Sequence, residues 1–406
     1  MSVQLKVALP PEGMTARRLL MNFLAELSLC QDLELSLEPD YAIIEASSAD
    51  VIEEYVNYTL WIAGQVLEDS LEEHRLVDMP IDTNDKRWIF EKKLGIQVPS
   101  GSKFCHVISR ILKRAQLPWN ELTRDLLVVD EKPSMIQLGD GVKDDLISLP
   151  QPFLYERYQA KYEFLRGRSG GEIEFKATRA WLYVLFAGFA FGYCGNHITD
   201  KKGEFVIAAV PEPTLSQVLA DEGVRSFIIR DGLLPTIRRL GLPPRPAIAY
   251  MLYATCEVIK ALGPEAMDLE LLYRIPTALI EMDRVSFDVP IKGFRLIERI
   301  SMDFAPLLRE LARLDTELIE WIQRKCRKAI VGREGATSYY SDYVRLSIAI
   351  FQALSGALDP ADLCYYALRV VAEHEAERLD LAARLRKLRS EGWLVSKLLR
   401  SLRGVL

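Results

Sequence analysis

The run Ala180–Gly195 constrains this chain more than any other stretch. It holds 16 apolar or small residues and no charge. A membrane-crossing helix needs about 20 such residues, so this one is short of a span. It is also too uniformly apolar to lie on a wet surface. The reading is a buried helix, Ala177–Cys194, ended by Gly195 in the left-handed position that follows many helices. A chain of 406 residues with 49% apolar and 27% charged side chains can enclose such a helix in a core. That composition excludes a disordered or fibrous chain.

Periodicity around this helix predicts an α+β protein, with a mixed α/β front portion of short strands and a predominantly helical back portion. Val3–Leu9 alternates as a strand and Pro10, Pro11 and Gly13 break it. Thr15 opens a helix to about Cys30, with Leu19, Leu20, Phe23, Leu24 and Leu27 on one face. Leu33–Leu37 and Tyr41–Ala46 read as strands. Asp50 and Glu53 form a capping-box pattern for a long helix from Val51 to about Glu73. Helices near 84–94 and 102–116 follow, then strands at 125–130 and 134–138. Pro150 and Pro152 suggest a division into domains 1–150 and 151–406. Beyond it, a helix at 155–166, a short strand at 204–210, and helices at 214–221, 223–240, 246–262 and 305–330 are expected. A helical run over 338–404 should break near Gly356–Pro360 and Gly392.

The six cysteines, at 30, 105, 194, 256, 326 and 364, are far apart and lie in apolar stretches. No zinc-ligand spacing occurs, and small buried hydrophobes in a reducing cytoplasm are expected. Met1–Pro10 lacks a secretory apolar core. Asn and Gln are few, 5 and 11, and the 33 arginines outnumber the 18 lysines, which leans toward a thermophile.

The net charge is −6, so bulk charge does not announce a nucleic-acid binder, but the charge is uneven. Residues 1–80 carry 4 basic and 15 acidic side chains. Residues 86–114 carry 8 basic and 1 acidic: Lys86, Arg87, Lys92, Lys93, Lys103, Arg110, Lys113 and Arg114, interleaved with Trp88, Phe90, Phe104 and His106. Further clusters include Arg238, Arg239 and Arg245 within 225–245, and Arg324, Lys325, Arg327 and Lys328 within 324–333. Another 8 basic side chains lie in 378–403. With a Debye length of about 8–10 Å, local patches can grip phosphate on an acidic molecule. The bland reading of each is a solvated helix face.

Catalytic signatures are missing. There is no Walker cradle, no GxGxxG behind a strand, no GxSxG elbow and no HExxH. Glu174-Phe175-Lys176 has the E-x-K form of metal-dependent nucleases, with Asp144 or Asp145 as a strained third ligand choice. His374, between Glu373 and Glu375, reads as an exposed, ion-paired histidine. No enzyme, cofactor or metal is expected. The loop 166–171, with Arg166 and Arg168 beside three glycines, permits close approach to a nucleic-acid backbone, or is simply a surface loop. The polar turn around Gly195–His197 and Lys201–Gly203 is a similar candidate.

The middle of the chain resembles a known family. The apolar helix Trp181-Leu-Tyr-Val-Leu-Phe-Ala-Gly-Phe-Ala-Phe-Gly-Tyr-Cys-Gly195 precedes a polar turn. A strand into prolines follows, Phe205-Val-Ile-Ala-Ala-Val-Pro-Glu-Pro213. This order is similar to the large subunit of the archaeal type I-A CRISPR Cascade, the Cas-eight-a group, over about 178–282. The resemblance is one of pattern and carries over no functional residue. It implies a non-catalytic subunit near the 5′ end of a guide RNA. Such a subunit contacts the motif flanking the target in duplex DNA, aids duplex opening and docks the helicase–nuclease. Its other partners would be backbone and small Cascade subunits, with no membrane. Guide pairing supplies specificity, so backbone contacts and a small motif reader suffice. The acidic front segment would then face a basic protein neighbour. A helical adaptor and a divergent metal-dependent nuclease are the competing readings.

Overall fold

The computed structural model describes residues 2–72, 78–132, 135–142, 144–155, 173–198, 202–220, 232–240, 246–266, 277–289, 291, 293–331, 337–376 and 379–403. Helices and sheets run through the chain and the C-terminal part is helical, an α+β arrangement. The chain divides into two compact units. The first comprises residues 1–230, 237–241 and 280–301, and the second 231–236, 242–279 and 302–406.

The first unit begins with β1 (Val3–Ala8), α1 (Thr15–Leu27), β2 (Glu34–Leu37), β3 (Tyr41–Ala46) and α2 (Ala49–Glu72). The strands make an antiparallel sheet in the order β1-β3-β2. A π-helix over Asp85–Lys93, α3 (Phe104–Leu112) and α4 (Trp119–Asp125) follow. Then come β4 (Val129–Lys132), β5 (Met135–Leu138), β6 (Ile147–Ser148), β7 (Glu174–Ala177) and α5 (Arg179–Gly192). In the second sheet, β4-β5-β7-β6, β5 pairs in parallel with β7 across the proline pair. Pro150 and Pro152 are therefore no domain boundary, because ladder hydrogen bonds join their two sides. The third sheet, β11-β10-β9-β8, uses β8 (Tyr193–Ile198), β9 (Lys202–Ala209), β10 (Leu279–Asp288) and β11 (Phe294–Asp303). The last two strands, ten residues each, lie in sequence that suggested no element. α6 (Glu212–Ala220) follows β9.

α5 is the buried helix that the apolar run demands, and Ala180–Leu182 and Val184–Gly192 are all buried. It ends at Gly192, earlier than expected. Tyr193–Ile198 leaves the helix to pair antiparallel with β9, and Gly195 (φ +96°) sits at a register shift instead of capping the helix. Pairing satisfies backbone groups that a longer helix would have left on β9's open edge. Gly188 lets α1 cross close by, since a Cβ there would lie 1.9 Å from the Leu19 carbonyl oxygen. Buried Asn22 of α1 ties the layers together. Its amide donates to the Gly188 and Ala208 carbonyls (3.2 and 2.9 Å), and its oxygen accepts from the Val210 N–H (3.0 Å).

The second unit is built from α7 (Leu233–Leu240, in part), α8 (Ala247–Ala266), α9 (Ala305–Leu311), α10 (Thr316–Val331), α11 (Thr337–Leu354) and α12 (Pro360–Val370). A π-helix over Val371–Glu375 and α13 (Leu381–Arg403) complete it. The expected helix 305–330 is two helices. Asp315 accepts from the Leu318 N–H (3.1 Å) and starts the second. The break near Gly356–Pro360 occurs, with Asp359 capping α12 through the Ala361 N–H (2.8 Å). No break occurs at Gly392, which lies inside α13. The chain turns instead around Asp380, which accepts from the Ala383 N–H (2.9 Å). Among the described residues, no helix is long and apolar enough to cross a membrane.

Candidate nucleic-acid interface

The segment 86–114 hangs on a few buried anchors. Ile89 and Phe90 are buried, and Phe90 packs against Phe104 and Phe186. The residues between these anchors face water. Trp88 is 47% exposed, with the Lys92 ammonium 4.3 Å and the Arg87 guanidinium 5.3 Å from its ring centre. The π-helical turn holds both cations beside the same indole, and such turns recur at functional sites. α3 is capped from outside: Asp78 accepts from the Cys105 and His106 N–H groups (2.8 and 3.1 Å) and from the His106 ring (2.7 Å).

Seven of the eight cations here have no carboxylate partner among the described residues: Lys86, Arg87, Lys92, Lys93, Lys103, Arg110 and Arg114. All but the half-buried Lys86 are exposed. Lys93 reaches the Asp144 backbone carbonyl. Lys113 is different, because it is ion-paired to Glu68 of α2. Beneath this face lies Asp85, buried, accepting from the Gln151 N–H (2.9 Å). Burial pushes its carboxyl well above the usual carboxylate range, and Asp82 adds to the rise.

The other predicted clusters fare differently. Lys325 is only 4% exposed and lies between Glu375 (3.0 Å) and Glu391 (2.8 Å). Lys328 joins Glu375 (2.9 Å) and the Tyr343 hydroxyl (3.1 Å). The Trp321 indole donates to Glu391 (2.9 Å), and Tyr343 donates to Glu375 (2.7 Å). Burial alone would raise the Glu375 carboxyl. Lys325, Tyr343 and Lys328 outweigh it and hold the group down at about 2. Lys325 is thus an internal counter-ion, and the half-buried Lys328 is committed to the same Glu375. A phosphate would have to compete with their own carboxylates for them. Arg324, loosely paired with Glu320 (3.6 Å), and Arg327 are exposed.

Arg238 is buried in the first unit, its Nε lacks a hydrogen-bond partner, and burial lowers its basicity against the pull of Glu26. It is not a surface cation. Arg239 is exposed but has a partner of its own. Arg166, Arg168 and Arg245 lie outside the described residues, as does the tip of the β8–β9 hairpin.

The acid–lysine motif closes on itself, with Lys176 bonded to Glu174 (2.8 Å) along β7. His374 is not exposed. It is part-buried beside α11, with Nε2 3.0 Å from Asp342. Asp342, Glu373 and His374 bring their ligand atoms within 4.8 Å of one another. Arg369 lies 3.6 Å from Asp342 and 3.2 Å from Glu373, so a guanidinium already serves both carboxylates. Nothing local in sequence signals that residues 342 and 374 meet.

No family model matches the chain, and no curated protein matches it.

Proposed function

We propose that this protein binds a nucleic-acid backbone through its 86–114 face, as a non-catalytic subunit of an RNA-guided Cascade complex. One observation carries the binding: seven cations without carboxylate partners among the described residues, two of them beside an exposed tryptophan, on a chain that is acidic overall. Cations left without internal partners attract phosphates and release counter-ions on binding. Trp88 adds a ring on which a base can stack. The placement within Cascade rests on the resemblance over 178–282. It includes contact with the guide RNA 5′ end and flanking duplex DNA, duplex opening, and the docking of a helicase–nuclease and other subunits.

The test is a salt titration of binding to a 30-nucleotide RNA and to a 30-base-pair DNA. The protein is compared with the variant Arg87→Ala, Lys92→Ala, Arg110→Ala, Arg114→Ala. Each lost phosphate contact should reduce the slope of log affinity against log salt by about 0.7–0.9, so the variant should lose roughly 3 in slope. Absence of binding by the unaltered protein at 50 mM salt, or an unchanged slope in the variant, overturns the reading.

A further inference from the structure

α2 presents a surface of the opposite character. Asp50, Glu54, Tyr58 and Trp61 are exposed at spacings of four, four and three residues, so they line one edge of the helix. Tyr58 and Trp61 are 52% and 42% exposed, and their rings stack with centres 6.1 Å apart at 21°. Two large aromatic side chains held together in water give up the stabilisation that burial would bring. They border an open cavity of about 520 Å³ whose polar wall includes Asp50, Glu53, Glu54, Asn57 and Lys113.

Much of that wall is already committed. Glu53 accepts from the Trp119 N–H (2.6 Å). Asn57 bonds both backbone groups of Leu117 (3.1 and 2.8 Å). Lys113 is taken by Glu68. Asp50 and Glu54 are left, with no cationic partner among the described residues. The surrounding residues 1–80 carry 15 acids against 4 bases, so the local field is negative.

Stacked π-faces beside unpaired carboxylates suit a planar cation. A guanidinium can lie on an indole or phenol ring and present its fork to a carboxylate at once. A nucleic acid fits poorly, because a base stacked on Trp61 would bring its phosphate toward Asp50 and Glu54. We propose that this edge of α2 is a docking site for an arginine-rich segment of a protein partner. It adjoins the 86–114 face at Lys113 but uses none of that face's unpaired cations, and it does not depend on that face binding nucleic acid.

The experiment uses the full chain and three labelled decapeptides, (Arg-Gly)5, (Lys-Gly)5 and (Glu-Gly)5, read by fluorescence anisotropy in 150 mM salt. The arginine peptide should bind several-fold more tightly than the lysine peptide, and the glutamate peptide should not bind. Tyr58→Ala with Trp61→Ala keeps every charge and should weaken the arginine peptide about tenfold or more. Asp50→Asn with Glu54→Gln keeps both rings and should weaken it similarly while flattening its salt dependence. Both variants should leave RNA binding unchanged, which separates this proposal from the previous one. If the aromatic variant binds the arginine peptide as the unaltered protein does, the peptide is held only by the general acidic field and the proposal fails. It fails equally if the peptide does not bind.

Discussion

Along α10, Lys325 and Lys328 turn inward onto Glu375 and Glu391; along the π-helix 85–93, Arg87 and Lys92 turn outward over Trp88. α10 is packed by α8, α11 and α13, so Lys325 is buried and the exposed strip carries Arg324 and Arg327, with Lys328 half-buried at its margin. The π-helix buries Asp85, Ile89 and Phe90 and leaves the rest outside. A cation's availability is therefore set by how many sides of its helix are covered, not by how many cations neighbour it in sequence. The two buried acids show the same division. Glu375 is surrounded by lysines and held down, whereas Asp85, with no ion pair among the described residues, is pushed up.

The contrast can be broken most forcefully at Lys325. Lys325→Met leaves Glu375 and Glu391 without their shared counter-ion and should cost about 3–5 kcal/mol in urea unfolding. The fraction that stays folded should bind RNA with unaltered affinity. A fall in affinity larger than the unfolded fraction would put Lys325 in the interface and erase the distinction.

The next effect is on acid stability. A carboxyl held below its ordinary value binds its proton more weakly in the folded state, so it contributes stability above pH 4.5. That contribution is lost as pH falls toward 2. Unfolding followed between pH 5 and 2 should show this loss, and Glu375→Gln should remove much of it. An unchanged acid limb in that variant would mean that other carboxyls govern it.

Asp85 should behave in the reverse sense, and by less. Its raised value means that the folded state holds the proton more tightly, so its contribution is complete below pH 3.8 and is lost as pH rises. Asp85→Asn keeps an oxygen for the Gln151 N–H and needs no proton. It should raise stability at pH 7 by about 1 kcal/mol and have little effect near pH 3. A destabilised variant at pH 7 would show that the carboxylate is satisfied as an ion.

A good deal of the fold was legible along the chain. The apolar run became α5, the alternation of Val3–Leu9 and Tyr41–Ala46 became β1 and β3, and the helical run broke near Gly356–Pro360. These signals are local, because a single face of one element carries them. The signals that failed are those where partners compete. Tyr193–Gly195 finish the apolar run, yet pairing with β9 draws them out of the helix into the strand Tyr193–Ile198. β10 and β11 carry charges such as Asp283 and Arg284 that disguise their alternation. Asp283 is buried and satisfied by Arg18 (2.9 Å), Arg299 (2.8 Å) and Tyr155 (2.7 Å) from distant parts of the chain. The candidate interface was half legible. The density of cations over 86–114 was plain, but the pairing of Lys113 with Glu68 and the burial of Arg238 were not.

By itself the sequence determined that a core exists, where its central helix runs, and where positive and negative residues concentrate, because each depends only on residue type and short-range spacing. The tertiary structure alone decided which charges meet each other and which meet solvent. An ion pair such as Lys325 with Glu375 joins residues 50 positions apart and requires both helices to be packed before either charge can leave water.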